Sequence, residues 1–114
     1  METRQLVIQE VNVVELIGDL DGSSAPIAQA TVLPLVQPGG AMVLDMTRVA
    51  YMSSAGLRML LSIHRTVLAS GARIVLVGLS EDIRDTMSAT GFLNFFVIED
   101  TLEQGLHEIM KQEL

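Results

Sequence analysis

The chain has 114 residues, no cysteine and a formal net charge of −7. That length forms one domain with a core of its own and excludes two; the missing thiols exclude disulfides, thiolate metal sites and cysteine nucleophiles. Hydrophobic residues make up 49% and charged residues 18%, which excludes a disordered chain, and the acidic balance opposes nucleic acid and anionic lipid alike.

In chain order, Leu6 to Ile8 opens a first strand, and Val11, Val13, Val14, Leu16 and Ile17 form a β-branched run that stops at Gly18. Two runs this close, joined near Glu10 to Asn12, predict an antiparallel pair. Asp19 to Ala25 is a loop in which Ser23 or Ser24 can cap a helix, and Pro26 suits its first turn. Pro34 should end or kink that helix, and Gln37-Pro38-Gly39-Gly40 is a stop. Ala41 to Met46 is a buried strand.

Ser53 or Ser54 then caps a second helix that runs to about Ser70, with Gly71 in the place of a C′ glycine. At 100° per residue, Leu57, Leu60, Leu61, Val67 and Leu68 share one arc, and Met59 and Ile63 widen it to roughly 200°, more than a helix on a sheet must bury. Two outcomes follow. Either a second helix covers the surplus, or Met52, Met59 and Ile63 form an exposed apolar patch beside the serine pair, of the kind that docks a protein. Ala72 to Gly78 is a further buried strand, and a short helix spans about Glu81 to Thr90 and stops at Gly91. Phe95 to Ile98 is a last strand, and Asp100 or Thr101 caps a helix carrying Leu102, Leu106, Ile109 and Met110. The order ββαβαβαβα predicts an α/β fold: a mixed, mostly parallel sheet with an N-terminal antiparallel pair and about four helices.

The chemistry expected of an enzyme is missing. There are two histidines, His64 and His107, in no metal-binding spacing. His64 lies ten residues beyond Ser54 on one predicted helix, about 15 Å away, too far to act as its base. Its place in the apolar arc predicts a histidine at the core margin with one hydrogen bond. No nucleophile elbow, Walker loop or dinucleotide fingerprint occurs. The seven methionines are expected to fill core gaps. The late acids Glu99, Asp100, Glu103, Glu108 and Glu113 should form a solvated face, with Asp100 near the positive end of the last helix. No catalytic residue, metal site or cofactor is predicted.

One stretch stands out. A buried strand leads through a short loop into Ser53-Ser54-Ala55-Gly56-Leu57 at a helix start. Free N–H groups and a positive dipole gather there, so an anion on a serine would be stabilised. Gly56 in the first turn should keep the surface open to an approaching group. The same serines would also be there if they did nothing except cap the helix.

Leu44-Asp45-Met46-Thr47-Arg48-Val49 followed by Tyr51-Met52-Ser53-Ser54-Ala55-Gly56-Leu57 resembles the hallmark of the STAS domain family, in particular its small stand-alone bacterial members, the anti-sigma factor antagonists. A second landmark, Gly18-Asp19-Leu20-Asp21, stands at the end of the second strand, and the element order agrees. The resemblance implies a single STAS domain over 1–114, with its core at about 4–112. It implies a non-enzymatic cytoplasmic protein whose unphosphorylated form binds an anti-sigma factor serine kinase and so releases a sigma factor. Phosphorylation of a serine would switch it off, and a serine phosphatase would reverse this. The acceptor aligns with Ser54, with Ser53, a second hydroxyl where many phosphorylated members have Asp, as second choice. The partner surface would comprise Asp21, Ser23, Ser24, Met52, Ser53, Ser54, Ala55, Gly56, Met59 and Ile63. No nucleic acid or membrane partner is expected, and the protein would be a monomer or weak homodimer. Two other readings fit these residues: an unphosphorylated STAS scaffold in a signalling assembly, and a small-ligand binder using the loops at Asp21 and Ser54.

Overall fold

The computed structural model describes residues 1–112. Five strands form one sheet: β1 (Glu2–Ile8), β2 (Val11–Ile17), β3 (Ala41–Arg48), β4 (Arg73–Val77) and β5 (Val97–Glu99), hydrogen-bonded in the order β1-β2-β3-β4-β5. β1 is antiparallel to β2, and every other neighbour is parallel. Four helices connect or follow them: α1 (Ala25–Val32), α2 (Ser54–Ala69), α3 (Glu81–Ala89) and α4 (Leu102–Gln112). This is the α/β architecture that the alternating pattern predicts.

The parallel strands are buried on both faces, and the pleat sorts their side chains into two rows. Val14, Leu44 and Leu76 stand side by side across β2, β3 and β4. They belong to a core with Ala25, Ala28 and Val32 of α1, Leu57, Leu60 and Ile63 of α2, and Ile83 and Met87 of α3. One residue earlier, Val13, Val43 and Val75 line the opposite face with Ile109 of α4. The period of two assigns neighbours to opposite layers, so three helices cover one face and α4 the other. At Gly105 α4 approaches β4 so closely that a Cβ would lie 2.6 Å from a Val77 methyl.

The ends of the elements follow local chemistry. Gly71 and Gly91 take left-handed φ of 65° and 79° after α2 and α3, as C′ glycines do. Pro34 ends α1 at Val32, and the chain leaves in a 3-10 turn, Leu33–Leu35. Thr101, rather than Asp100, caps α4. Its Oγ1 accepts from the Gln104 N–H at 3.1 Å, while Gln104 Oε1 accepts from the backbone N–H groups of Asp100 and Thr101 at 3.1 and 3.2 Å, a reciprocal capping box. Asp100 instead pairs with Arg84 at 3.3 Å.

The starts of β1 and β5 and the partners of His64 differ from expectation. β1 begins at Glu2 because its polar half pairs with Glu15–Ile17 through the backbone, which hydrophobic patterning cannot reveal. Phe95 belongs to a second 3-10 turn, Phe92–Phe95, and β5 starts at Val97. His64 is half-buried at the core margin, as expected, but it is held by rings: stacked on Phe95 at 5.9 Å and edge-on to Phe96 at 5.0 Å, with no hydrogen bond to the described residues. Of the late acids, Asp100 and Glu103 are exposed and Glu99 and Glu108 half-buried, while Glu113 lies outside the described residues.

The β1–β2 turn is strained. Ile8 pairs with Val11, so Gln9 and Glu10 alone make the turn, with φ of 52° and 68°. Two left-handed residues are what a two-residue type I′ turn requires, and Asn-Gly suits it far better than Gln-Glu. The double substitution Gln9→Asn, Glu10→Gly should stabilise the fold by about 1 kcal/mol, given the penalty on left-handed residues with a Cβ, raising Tm by several degrees. An unchanged Tm in a thermal melt would show that the turn carries no such strain.

Candidate functional site

The site is built where β2 and β3 run past their carboxyl ends. Pairing shifts register between Glu15 and Ile17, and the chains then stay together through loop backbone. The Gly18 N–H donates to the Arg48 carbonyl at 3.1 Å, and the Leu20 N–H to the Tyr51 carbonyl at 2.9 Å. The Ser53 N–H returns a bond to the Leu20 carbonyl at 2.8 Å. Leu20 and Met52 thus form an isolated parallel bridge. The residues just beyond it, Asp21 on one side and Ser53-Ser54 on the other, are brought together at the sheet edge where open α/β folds build their sites.

Asp21 organises the first of these loops. Its Oδ1 accepts from the Ser23 hydroxyl at 2.8 Å and from the N–H groups of Ser23 and Ser24, both at 3.0 Å. The Ser24 hydroxyl donates to the Asp19 carbonyl at 2.6 Å and accepts from the Asp21 N–H at 2.9 Å. Neither serine caps α1. Ser24 stands at the N-cap in helical conformation without a side-chain cap bond, because its hydroxyl is spent within the loop. The donors converging on Asp21, led by the Ser23 hydroxyl, hold its carboxyl below the ordinary 3.8.

The serine pair divides its roles. Ser53 takes the N-cap position in extended conformation, but its Oγ is buried without a partner among the described residues. Ser54 is the first helical residue and is exposed. No acid stands in the first turn of α2. Gly56 is buried, and its role is the reverse of the expected one. A Cβ there would meet the Met52 side chain at 2.7 Å and the Leu20 Cβ and carbonyl oxygen at 3.0 Å. The missing side chain lets the helix start sit down on the Leu20–Met52 bridge; it opens nothing to solvent.

Of the other expected site residues, Ser23 is exposed, Ala55 half-buried and Ser24 buried. Met52, Met59 and Ile63 form no surface patch: their exposures are 8%, 2% and 0%. α1 packs alongside α2, with Gln29 Nε2 donating to the Ser62 hydroxyl at 3.3 Å, so the wide apolar arc faces the sheet and a neighbouring helix together. What lies open beside Ser54 is a groove of about 230 Å³ between the starts of α1 and α2, lined by Gly22, Pro26, Gln29, Ala55 and Arg58 among others. Arg58 and Tyr51 were not among the expected site residues, though both stand in the same stretch of sequence. Both are exposed, Tyr51 at 55%. Arg58's signal was its spacing, four residues after Ser54. Among the described residues no group of three or more His, Asp or Glu could hold a metal ion, and no helix is long and apolar enough to cross a membrane.

The STAS domain family matches residues 4–105. This chain belongs to the STAS domain family. An anti-sigma-B factor antagonist of Bacillus subtilis (strain 168) is 28% identical over 93 residues, 82% of this chain and 85% of that protein. An anti-sigma factor antagonist from Mycobacterium paratuberculosis superposes with a TM-score of 0.85 at 23% identity, over 96% of this chain and 93% of the other. The Bacillus cell fate determinant SpoIIAA in its phosphorylated form gives 0.71 at 21% identity, over 95% and 99%. At these identities the two structures establish a shared fold. Within this STAS domain, the two landmark segments are the two loops joined by the Leu20–Met52 bridge.

Two consequences are measurable. Gly56→Ala should destabilise the domain by about 1–3 kcal/mol, since the added methyl meets backbone as well as side chain; denaturant unfolding with the parental midpoint would contradict the close approach. Asp21→Asn should lower Tm in a pH-dependent way. Because the folded carboxyl is depressed, its stabilisation is present above pH 3.8 and is lost as pH falls through the folded value. The Tm gap between parent and variant should therefore be open at neutral pH and close in acid. A gap independent of pH would show that the carboxylate's charge is irrelevant to the loop.

Proposed function

We propose that this STAS domain is an anti-sigma factor antagonist: unphosphorylated, it binds an anti-sigma factor that is itself a serine kinase, and phosphorylation of Ser54 ends the binding. The observation that carries this reading is the division within the serine pair. Ser54 presents a solvent-facing hydroxyl at the first position of a 16-residue helix, whereas the Ser53 oxygen is turned inside. A kinase can approach the first and not the second. The name of the Bacillus subtilis relative and the phosphorylated state of SpoIIAA support the same reading.

The chain acts as substrate and binding surface. The Ser54 oxygen attacks the γ-phosphorus of a nucleoside triphosphate held by the partner. The bond to the diphosphate breaks, and the hydroxyl proton passes to a base that the partner supplies with the metal ion. A serine phosphatase reverses the change by hydrolysis. The surface offered to the partner is the set around the acceptor: the exposed Ser23, Tyr51, Ser54 and Arg58 and the half-buried Asp21, with the groove between α1 and α2. Met52, Gly56 and Met59 contribute from below, by holding that surface in place.

The phosphate adds about −1.5 to −2 charges at neutral pH to a chain already at −7. Ser54 needs no unfolding to accept it, because the helix start offers unpaired N–H groups and a positive dipole end. The cost falls on the complex, where a charged and hydrated group would have to be desolvated against the partner.

Incubation with the anti-sigma kinase and ATP, followed by peptide mass spectrometry, tests this. Ser54→Ala should abolish phosphate incorporation, and Ser53→Ala should retain it. Ser54→Glu should weaken partner binding at least tenfold with Tm preserved. Phosphate found on Ser53, or full affinity in the Ser54→Glu protein, would overturn the reading.

A further inference from the structure

We infer that a phosphate on Ser54 is held by the guanidinium of Arg58, one turn further along the same helix. The inference rests on Ser54 being the acceptor. α2 is a regular helix across both positions, and residues four apart on a helix have Cβ atoms about 5–6 Å apart on one face. Both side chains are exposed, so neither must leave a packed position to meet the other. Arg58 has no ion-pair partner among the described residues. It borders the groove together with Ala55 and Gln29, which leaves its head free to swing toward the helix start. The planar fork of an arginine matches phosphate oxygens in a way a point charge does not.

Competing contacts are few. Arg65, the next exposed cation on α2, lies seven residues beyond Arg58 and about 10 Å further along the axis. Asp21, the carboxylate on the neighbouring loop, already gives Oδ1 to Ser23 and Ser24, and its negative charge opposes the phosphate. The dipole of α2 favours the phosphate, but it does so whatever residue occupies position 58.

The contact changes what phosphorylation does to the surface. The modification adds negative charge at the head of α2 and also withdraws the positive charge of Arg58 from whatever faces that helix. One event thus alters two features of the partner surface.

The test uses the full chain with phosphoserine installed at position 54 by an expanded genetic code, so that no kinase is needed. Phosphorus NMR follows the second ionisation of the phosphate through a pH titration. In the parent its midpoint should lie below that in Arg58→Gln by roughly 0.3–1 unit, the scale of an exposed neighbouring cation. Arg58→Lys should fall between the two, and Arg65→Gln should match the parent. Equal midpoints in the parent and Arg58→Gln would overturn the contact, as would an equal shift produced by Arg65→Gln. A kinase that leaves Ser54 untouched counts against the acceptor reading alone, and equal midpoints count against the Arg58 contact alone.

Discussion

Three backbone hydrogen bonds hold the two loops together: Gly18 to Arg48, Leu20 to Tyr51 and Ser53 to Leu20. All lie beyond the last regular residues of β2 and near or beyond the end of β3, so they extend the parallel pairing past the sheet proper. Leu20 itself is fully buried, which anchors the extension in the core. The candidate site is placed from this clamp. Asp21 is the next residue on one chain and Ser54 the second residue after Met52 on the other. α2 can start directly above only because position 56 has no side chain. A serine presented on such a base is exposed without being loose.

The helix starts differ electrostatically. The loop before α1 is neutralised by its own Asp21, whose carboxylate collects the nearby N–H and O–H donors. The start of α3 has Glu81 and Asp82 and a Ser80 cap, and α4 has Glu103 and its capping box. α2 has neither an acid in its first turn nor a side-chain cap. α1 likewise has neither, but Asp21 stands in the loop just before it; on the proposed reading, the anion at the α2 start arrives by modification instead of being written into the sequence.

Much of the fold was legible because local rules and global packing agree. The β-branched runs, the glycines at 71 and 91 and the proline at 34 each specify an element or its end, and the structure uses them so. The strand order β1-β2-β3-β4-β5 was not legible from that pattern, which gives the elements without their lateral arrangement. The site was legible in outline, since Asp21 and the serine pair stand at strand ends that parallel pairing must bring together. Its details were not. Which serine faces solvent depends on how Ser53 is seated against the Leu20 loop, a contact across more than thirty positions. Gly56 was read from its own neighbourhood as an opening, whereas its role is set by Leu20 and Met52 below it. The width of the apolar arc on α2 exceeded what the sheet alone covers without telling what covers the rest; α1 does. The polar half of β1 has no hydrophobic period because an edge strand is held by its ladder.

That wide arc has a consequence for the surface. Because α2 is packed against both the sheet and α1, its outward strip is narrow. It carries Ser54, Arg58, Arg65 and Leu68 as its exposed side chains apart from Ala69. Two of the chain's seven cations therefore stand on one strip of a molecule with twice as many acids. In an acidic protein such a strip is repelled less by another acidic surface than an acidic face would be, and Leu68, 65% exposed, gives it an apolar end. A charge placed at the head of this strip acts on its near end, since Arg58 is one turn away, while Arg65, more than about 15 Å from Ser54 along the axis, is screened from it by solvent. A phosphate there needs no motion of the sheet, no displacement of Gly56 and no break in the Leu20–Met52 pairing to be felt by a partner. On the proposed reading the domain is a switch whose two states share one backbone and differ in the charge at the head of one strip of one helix.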